Sequence, residues 1–187
     1  MAKAKPVEIV VVVDRSGSME SIRDDAIGGF NSFLDEQKAV KGKANLTLVM
    51  FDDQCEVVYD SVDIQDVQPM TRETLVPRGS TAMNDAIGKS LANLEVKNPK
   101  KAIIVILTDG AENSSKEWGW RQVKEKVEAA QAKGWEIVFL AANIDAASTA
   151  NAYGMAQGSA RGFTANAGGV MNASLVMTQS VTSYRSN

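Results

Sequence analysis

Three short segments concentrate oxygen-bearing side chains: Asp14-Arg15-Ser16-Gly17-Ser18, Gly79-Ser80-Thr81-Ala82-Met83-Asn84-Asp85 and Leu107-Thr108-Asp109-Gly110. Ser16 and Ser18 alternate, so their hydroxyls can point the same way, and Gly17 permits a tight turn between them. Carboxylates and hydroxyls without sulfur or imidazole suit a hard cation, magnesium first, with manganese or calcium as alternatives. Magnesium takes six oxygens at about 2.0–2.1 Å and usually keeps some waters, so five side chains leave at least one position free. With only two donors formally charged, a divalent ion stays electrophilic enough to favour a further carboxylate from outside. That is binding chemistry, not a reaction.

The elements that must position these residues are legible around them. Val7 to Val13 is β-branched and bounded by Pro6 and Asp14, and Ala102 to Leu107 is a second apolar run leading into Thr108 and Asp109; both read as strands buried on two faces of a parallel sheet. In such a sheet, ligands bind in the crevice beyond the strand carboxyl ends where the winding reverses, which brings Asp14 and Asp109 together. Helices are expected at about Met19–Ala39, along the Met83, Ile87, Leu91, Leu94 stripe, at Trp118–Lys133, at Asp145–Tyr153, and along Val170, Ser174, Met177, Val181 and Tyr184. Leu46–Phe51 and Cys55–Tyr59 read as an antiparallel hairpin at a sheet edge. Glu136–Ala142 is a further strand, Arg161–Thr164 a short edge strand, and Val62–Arg78 a loop with an extended piece at Ile64–Val67. Gly28 and Gly29 are expected to let their helix approach the sheet closely. The sum is an α/β three-layer sandwich, α/β/α and Rossmann-like, with a mostly parallel central sheet and one antiparallel edge strand. One domain over 1–187 is expected, with its core at about 7–185.

Composition removes many alternatives. The 187 residues contain no histidine, which excludes a Ser-His-Asp or Cys-His system, an HExxH zinc site and an imidazole base. The lone Cys55 excludes an internal disulfide, a CxxC pair and a thiolate zinc cage, and reads as a small apolar strand residue. With 20 Lys+Arg against 23 Asp+Glu, the chain lacks the basic excess of a nucleic-acid binder. Lys3 and Lys5 precede an apolar run too short for a signal-peptide core or a membrane span, so cytosolic residence is expected, with virion association an option for a phage-encoded chain. No Walker A, GxGxxG or EF-hand pattern occurs.

The pattern DxSxS at Asp14, Ser16 and Ser18, the threonine of a separate glycine-led loop at Thr81, and TDG at Thr108 to Gly110 resembles the von Willebrand factor A domain and its metal-ion-dependent adhesion site (MIDAS). The match in order and strand context runs from Val7 to about Arg185 and is more similar to stand-alone bacterial and phage members than to integrin inserts. The resemblance implies that Asp14, Ser16, Ser18, Thr81 and Asp109 hold a metal. Ser16 and Ser18 would do so directly, the others directly or through water. It also implies metal-dependent binding of another protein that supplies an Asp or Glu, without catalysis.

Each motif also has a plainer reading. DRSGS is compatible with a helix N-cap, and Asp109-Gly110 with a turn. Asp85 fits either a first-turn aspartate complementing its helix dipole or a support for the metal site. Glu112 and Asn113 read as surface residues or as anchors of the loop after Asp109. Trp118 and Trp120 read as packing residues or as an apolar rim beside the metal. Leu75-Val-Pro-Arg-Gly-Ser80 matches a protease-tag linker but lies inside the domain and is taken as native. Two other functions compete: a structural component of a phage particle or larger assembly, and a magnesium-dependent phosphohydrolase using Asp14 as nucleophile. Against the latter, Ser16 stands where such enzymes typically carry a second aspartate.

Overall fold

The computed structural model describes residues 5–187; Lys3, part of the N-terminal reading, lies outside the described residues. Six strands form one sheet in the order β3-β2-β1-β4-β5-β6: β1 Val7–Asp14, β2 Ala44–Phe51, β3 Cys55–Asp63, β4 Ala102–Thr108, β5 Glu136–Ala141 and β6 Ala160–Gly162. All neighbours are parallel except β2 and β3. This is the expected three-layer sandwich with its antiparallel edge. The helices are α1 Arg23–Ala39, α2 Met83–Lys97, α3 Trp120–Ala132, α4 Ala146–Ala152 and α5 Ala167–Ser186.

Every residue of β1 is buried. The pleat alone decides which layer each side chain joins. Val7, Ile9, Val11 and Val13 pack with Phe30, Phe33 and Leu34 of α1 and Val170, Met177 and Val181 of α5. Val10 and Val12 pack with Ile87 and Leu91 of α2 and Val123 and Val127 of α3. Chain connections leave β1 toward β2 on one side and reach β4 on the other, so the winding reverses between β1 and β4, where the register pairs Val13 with Leu107.

Several local expectations change. The predicted Met19–Ala39 helix is a 3-10 segment over Gly17–Ile22 followed by α1. β3 runs on to Asp63, and Ile64–Asp66 is a 3-10 turn rather than an extended piece, started by the Asp63 carboxylate accepting from Gln65 N. α3 begins at Trp120, not Trp118, because the N–H groups of residues 116–118 are bound to Asp85 instead of opening a helix. Gly29 makes room for α5 rather than the sheet: a Cβ there would lie 2.0 Å from Ser174 Oγ, while one at Gly28 would meet nothing. In the last helix Ala173 is buried and Ser174 is only half-buried at this crossing.

Candidate metal centre

Asp14 closes β1 and Thr108 closes β4, one register step beyond the Val13–Leu107 pair. Adjacent parallel strands therefore set the two side chains side by side, and Thr108 Oγ1 donates to Asp14 Oδ2 at 2.7 Å. Asp14 Oδ1 accepts from Ser16 N at 2.6 Å, turning the chain so that Ser16 and Ser18 share a side. Their hydroxyl oxygens are 3.2 Å apart, and Ser18 Oγ donates to Asp109 Oδ1 at 2.8 Å. The first and third segments thus form one cluster of oxygens.

The second segment joins through its backbone. Gly17 N donates to Gly79 O at 3.1 Å, and Ala82 N donates to Asp52 O at 2.7 Å. Gly79 sits at φ +64°, which suits glycine, and its turn carries the chain into Thr81. A Cβ at Gly110 would lie 3.9 Å from Thr81 Oγ1, so the threonine hydroxyl stands beside the Asp109-Gly110 turn. Among the described residues none takes up that hydroxyl; Thr81's contacts are made through its backbone, with N donating to Asn113 Oδ1 at 2.8 Å and O accepting from Asn113 N at 3.0 Å. Asp14, Ser16, Thr81 and Asp109 are buried and Ser18 is exposed, so the cluster opens to solvent on the Ser18 side.

Burial pushes the Asp14 carboxyl above its ordinary range, against the opposing hydrogen bonds from Ser16 and Thr108. Burial also raises Asp109, and the Asp14 charge adds to that. Two carboxylates that resist ionisation side by side are what a cation between them would relieve. The donor set fits such an ion. Octahedral ligands at magnesium distance sit about 2.9 Å apart, and the observed oxygen separations of 2.8 and 3.2 Å bracket that edge. No group of three or more His, Cys, Asp or Glu side chains gathers among the described residues. A metal here would rest on two carboxylates and three hydroxyls.

The supporting shell is richer than the sequence shows. Asp52, fully buried, accepts from Arg15 Nε at 2.9 Å and Arg78 Nε at 2.7 Å, while its other oxygen holds Gln54 N at 2.7 Å. Burial opposes its ionisation, but Arg78, the Gln54 amide and Arg15 prevail and hold it below the usual carboxylate range. Asp52 falls between the two hairpin strands and DRSGS contains Arg15, but nothing local in the sequence shows that Arg15 or Arg78 reaches it. Asp85 supports the site: it accepts from the backbone of Lys116, Glu117 and Trp118. Glu112 accepts from Asn84 N, Ser114 N and Ser115 N. Glu112 is half-buried and Asn113 exposed, yet both anchor the loop after Asp109. Trp118 packs over Gly88, where a Cβ would lie 2.3 Å from its ring, whereas Trp120 is half exposed beside Arg121. Asn143 Nδ2, absent from the sequence reading, donates to Asp109 O at 2.8 Å.

A doubly wound α/β domain with an oxygen-only crevice at its switch point defines a class of fold and site. The model of the von Willebrand factor type A domain matches residues 8–173, and the chain belongs to that family. In fold it is similar to the PilB minor pilin from Streptococcus sanguinis, with a TM-score of 0.72 at 13% identity, covering 97% of this chain and 62% of PilB. The vWF domain of the type V pili tip protein Mfa5 from Porphyromonas gingivalis gives 0.72 at 11% identity, covering 96% of each chain. Proximal thread matrix protein 1 from the mussel byssus, with a zinc occupied MIDAS motif, gives 0.67 at 17% identity, covering 96% of this chain and 46% of that one. The chain therefore spans less than two thirds of PilB and about half of the byssus protein. No curated protein is a significant match to the sequence.

Proposed function

We propose that this chain is a noncatalytic, divalent-cation-dependent protein-recognition module. Asp14, Ser16, Ser18, Thr81 and Asp109 hold magnesium, with manganese or calcium as substitutes, and a partner's Asp or Glu completes the shell. The observation that carries this reading is the hydrogen-bonded cluster of Asp14, Ser16, Ser18 and Asp109, with the Thr81 hydroxyl beside the Asp109-Gly110 turn and engaged by none of the described residues, and with the Ser18 side open. The byssus protein's zinc occupied MIDAS motif supports a cation in this position of the fold. When bound, the ion would supply Lewis acidity toward an incoming carboxylate. Asp14 fixes the loop, Ser18 faces the solvent, and Asp109 orients the Ser18 hydroxyl. Both Asp14 oxygens are held by donors and the residue is buried, which suits holding the ion through water and argues against a nucleophile that must reach phosphorus.

The test is calorimetric titration of metal-free chain with magnesium and manganese, then capture of partners from the native source with and without EDTA. Saturable binding lost in Asp14→Asn supports the reading; absence of cation binding in the unmodified chain refutes it. A second reading, a structural component of a larger assembly, is favoured by the pilus and byssal-thread relatives. Assembly that persists in chelator distinguishes it.

A further inference from the structure

The three loops of the crevice are not held alike. Between the Ser16–Ser18 loop and the other two, the links are Gly17 N to Gly79 O, Arg78 N to Arg15 O, Ser18 Oγ to Asp109 Oδ1 and Thr108 Oγ1 to Asp14, with Asp52 bridging Arg15 and Arg78. Between the Thr81 loop and the Asp109 loop the lacing is reciprocal and much denser. Asn113 takes both backbone groups of Thr81, donating its own N–H to Thr81 O and accepting Thr81 N at Oδ1. Just beyond, Glu112 and Ser115 Oγ satisfy Asn84 N and Asp85 N, two otherwise open donors of the first turn of α2. In return the Asp85 carboxylate takes three N–H groups of residues 116–118.

We propose that Asn113 is a positioning residue for the cation site. It locks Thr81 against the Asp109 turn so that the two segments act as one unit, and magnesium binding depends on that lock more than calcium binding does. The inference rests on the cation reading above. Its physical basis is that Thr81 N–H and Thr81 C=O lie in the two peptide planes flanking its Cα, so pinning both holds its φ and ψ and the Thr81 side chain keeps one direction from the backbone. Magnesium requires near-ideal octahedral geometry, whereas calcium accepts longer bonds and irregular shells. Because Asn113 itself is exposed, its replacement leaves the core untouched.

The test compares the unmodified chain, Asn113→Ala and Asn113→Asp by calorimetry with magnesium and with calcium, and by hydrogen exchange of the Thr81 amide in metal-free protein. Asn113→Ala removes the acceptor, while Asn113→Asp keeps it. The expected result for alanine is a magnesium affinity about 10- to 100-fold weaker, the usual effect of losing an outer-shell support. Calcium should lose less, so that the magnesium-to-calcium ratio falls, and the Thr81 amide should exchange faster. Aspartate should keep Thr81 protected and the ratio high. Unchanged magnesium affinity or unchanged Thr81 exchange in Asn113→Ala overturns the inference while leaving the site reading standing. If the unmodified chain binds neither ion, the site reading itself fails and takes this inference with it. Should the alanine variant not fold, Asn113→Gln, which displaces the acceptor by one methylene, is expected to show the same losses and overturns the inference if it does not.

Discussion

Asp14→Asn separates the cation's contribution from the fold's. The amide fits the existing bonds: its oxygen can accept from Ser16 N, and its nitrogen can donate to Thr108 Oγ1, whose proton then turns to Gly110 O, 3.1 Å away. Charge is what changes. At an effective dielectric near 20, a unit charge about 4 Å from a divalent ion is attracted by roughly 8 kcal/mol, and if desolvation leaves one third of that, affinity falls about 100-fold. Magnesium at 100 times the dissociation constant stabilises the unmodified chain by about 2.7 kcal/mol, and the same concentration stabilises the variant by only about 0.4 kcal/mol. For a domain of this size these correspond to melting shifts of about 5–10 °C and about 1 °C. The metal-free comparison runs the other way. The folded-state pKa of Asp14 is raised by burial, so its contribution to stability is present below the unfolded value near 3.9 and is lost as pH rises through the folded value. At neutral pH the metal-free chain carries that penalty and the asparagine variant does not, so the variant should melt at or above the parent without magnesium. Differential scanning calorimetry at pH 7.5, with magnesium and with matched ionic strength from potassium chloride, reads both differences. An equal magnesium-induced shift in the two proteins would refute the reasoning.

Thr81→Val should change the metal-free melting point little, because no described residue engages the hydroxyl, yet lower magnesium affinity by at least about tenfold; calorimetry decides, and intact affinity would remove Thr81 from the site. Asp52→Asn should cost about 1–3 kcal/mol in urea unfolding at neutral pH by weakening the buried charge-assisted bond to Arg15, which keeps its pairing with Glu56. Since Asp52 is held low in the fold, its contribution is present above about pH 3.9 and is lost as pH falls through its folded value, so the gap between parent and variant should close in acid. Gly169→Ala places a Cβ 1.8 Å from the Thr164 carbonyl oxygen, a backbone atom, and should destabilise by about 1–3 kcal/mol despite alanine's helix preference. Gly29→Ala meets chiefly the Ser174 hydroxyl, which can rotate, and should cost less; the opposite order in urea titrations would show that the α1 and α5 crossing is tighter than the α5 entry.

What the sequence discloses about this molecule follows from the range of the forces involved. β1 and β4 are legible because a β-branched run buried on both faces needs no partner to be identified, and their terminal residues then fall at the switch point by topology alone. Asp14, Ser16 and Ser18 are legible because their turn is local: the Asp14 carboxylate holds an N–H two residues on. Asp109 follows once the end of β4 is placed, whereas Thr81, in the glycine-led loop before α2, is singled out by its resemblance to the adhesion-site pattern. Asp85, Glu112 and Asn113 can be read as supports, but the partners of the supporting shell stay hidden because its bonds span long separations with no periodicity to announce them. Arg15 reaches Asp52 across 37 residues, and Asp85 reaches residues 116–118 across 31 to 33. The same cause explains the misplaced start of α3. Local preference extends a helix back to Trp118, but three consecutive N–H groups find a stronger acceptor in a buried carboxylate of another helix, and the chain bends at Lys116 and Glu117 and passes through an extended Gly119 before the helix starts. A carboxylate that could be read as complementing its own helix is thus the anchor of the loop that carries Asp109, and the geometry of the cation crevice depends on a bond that no local pattern contains.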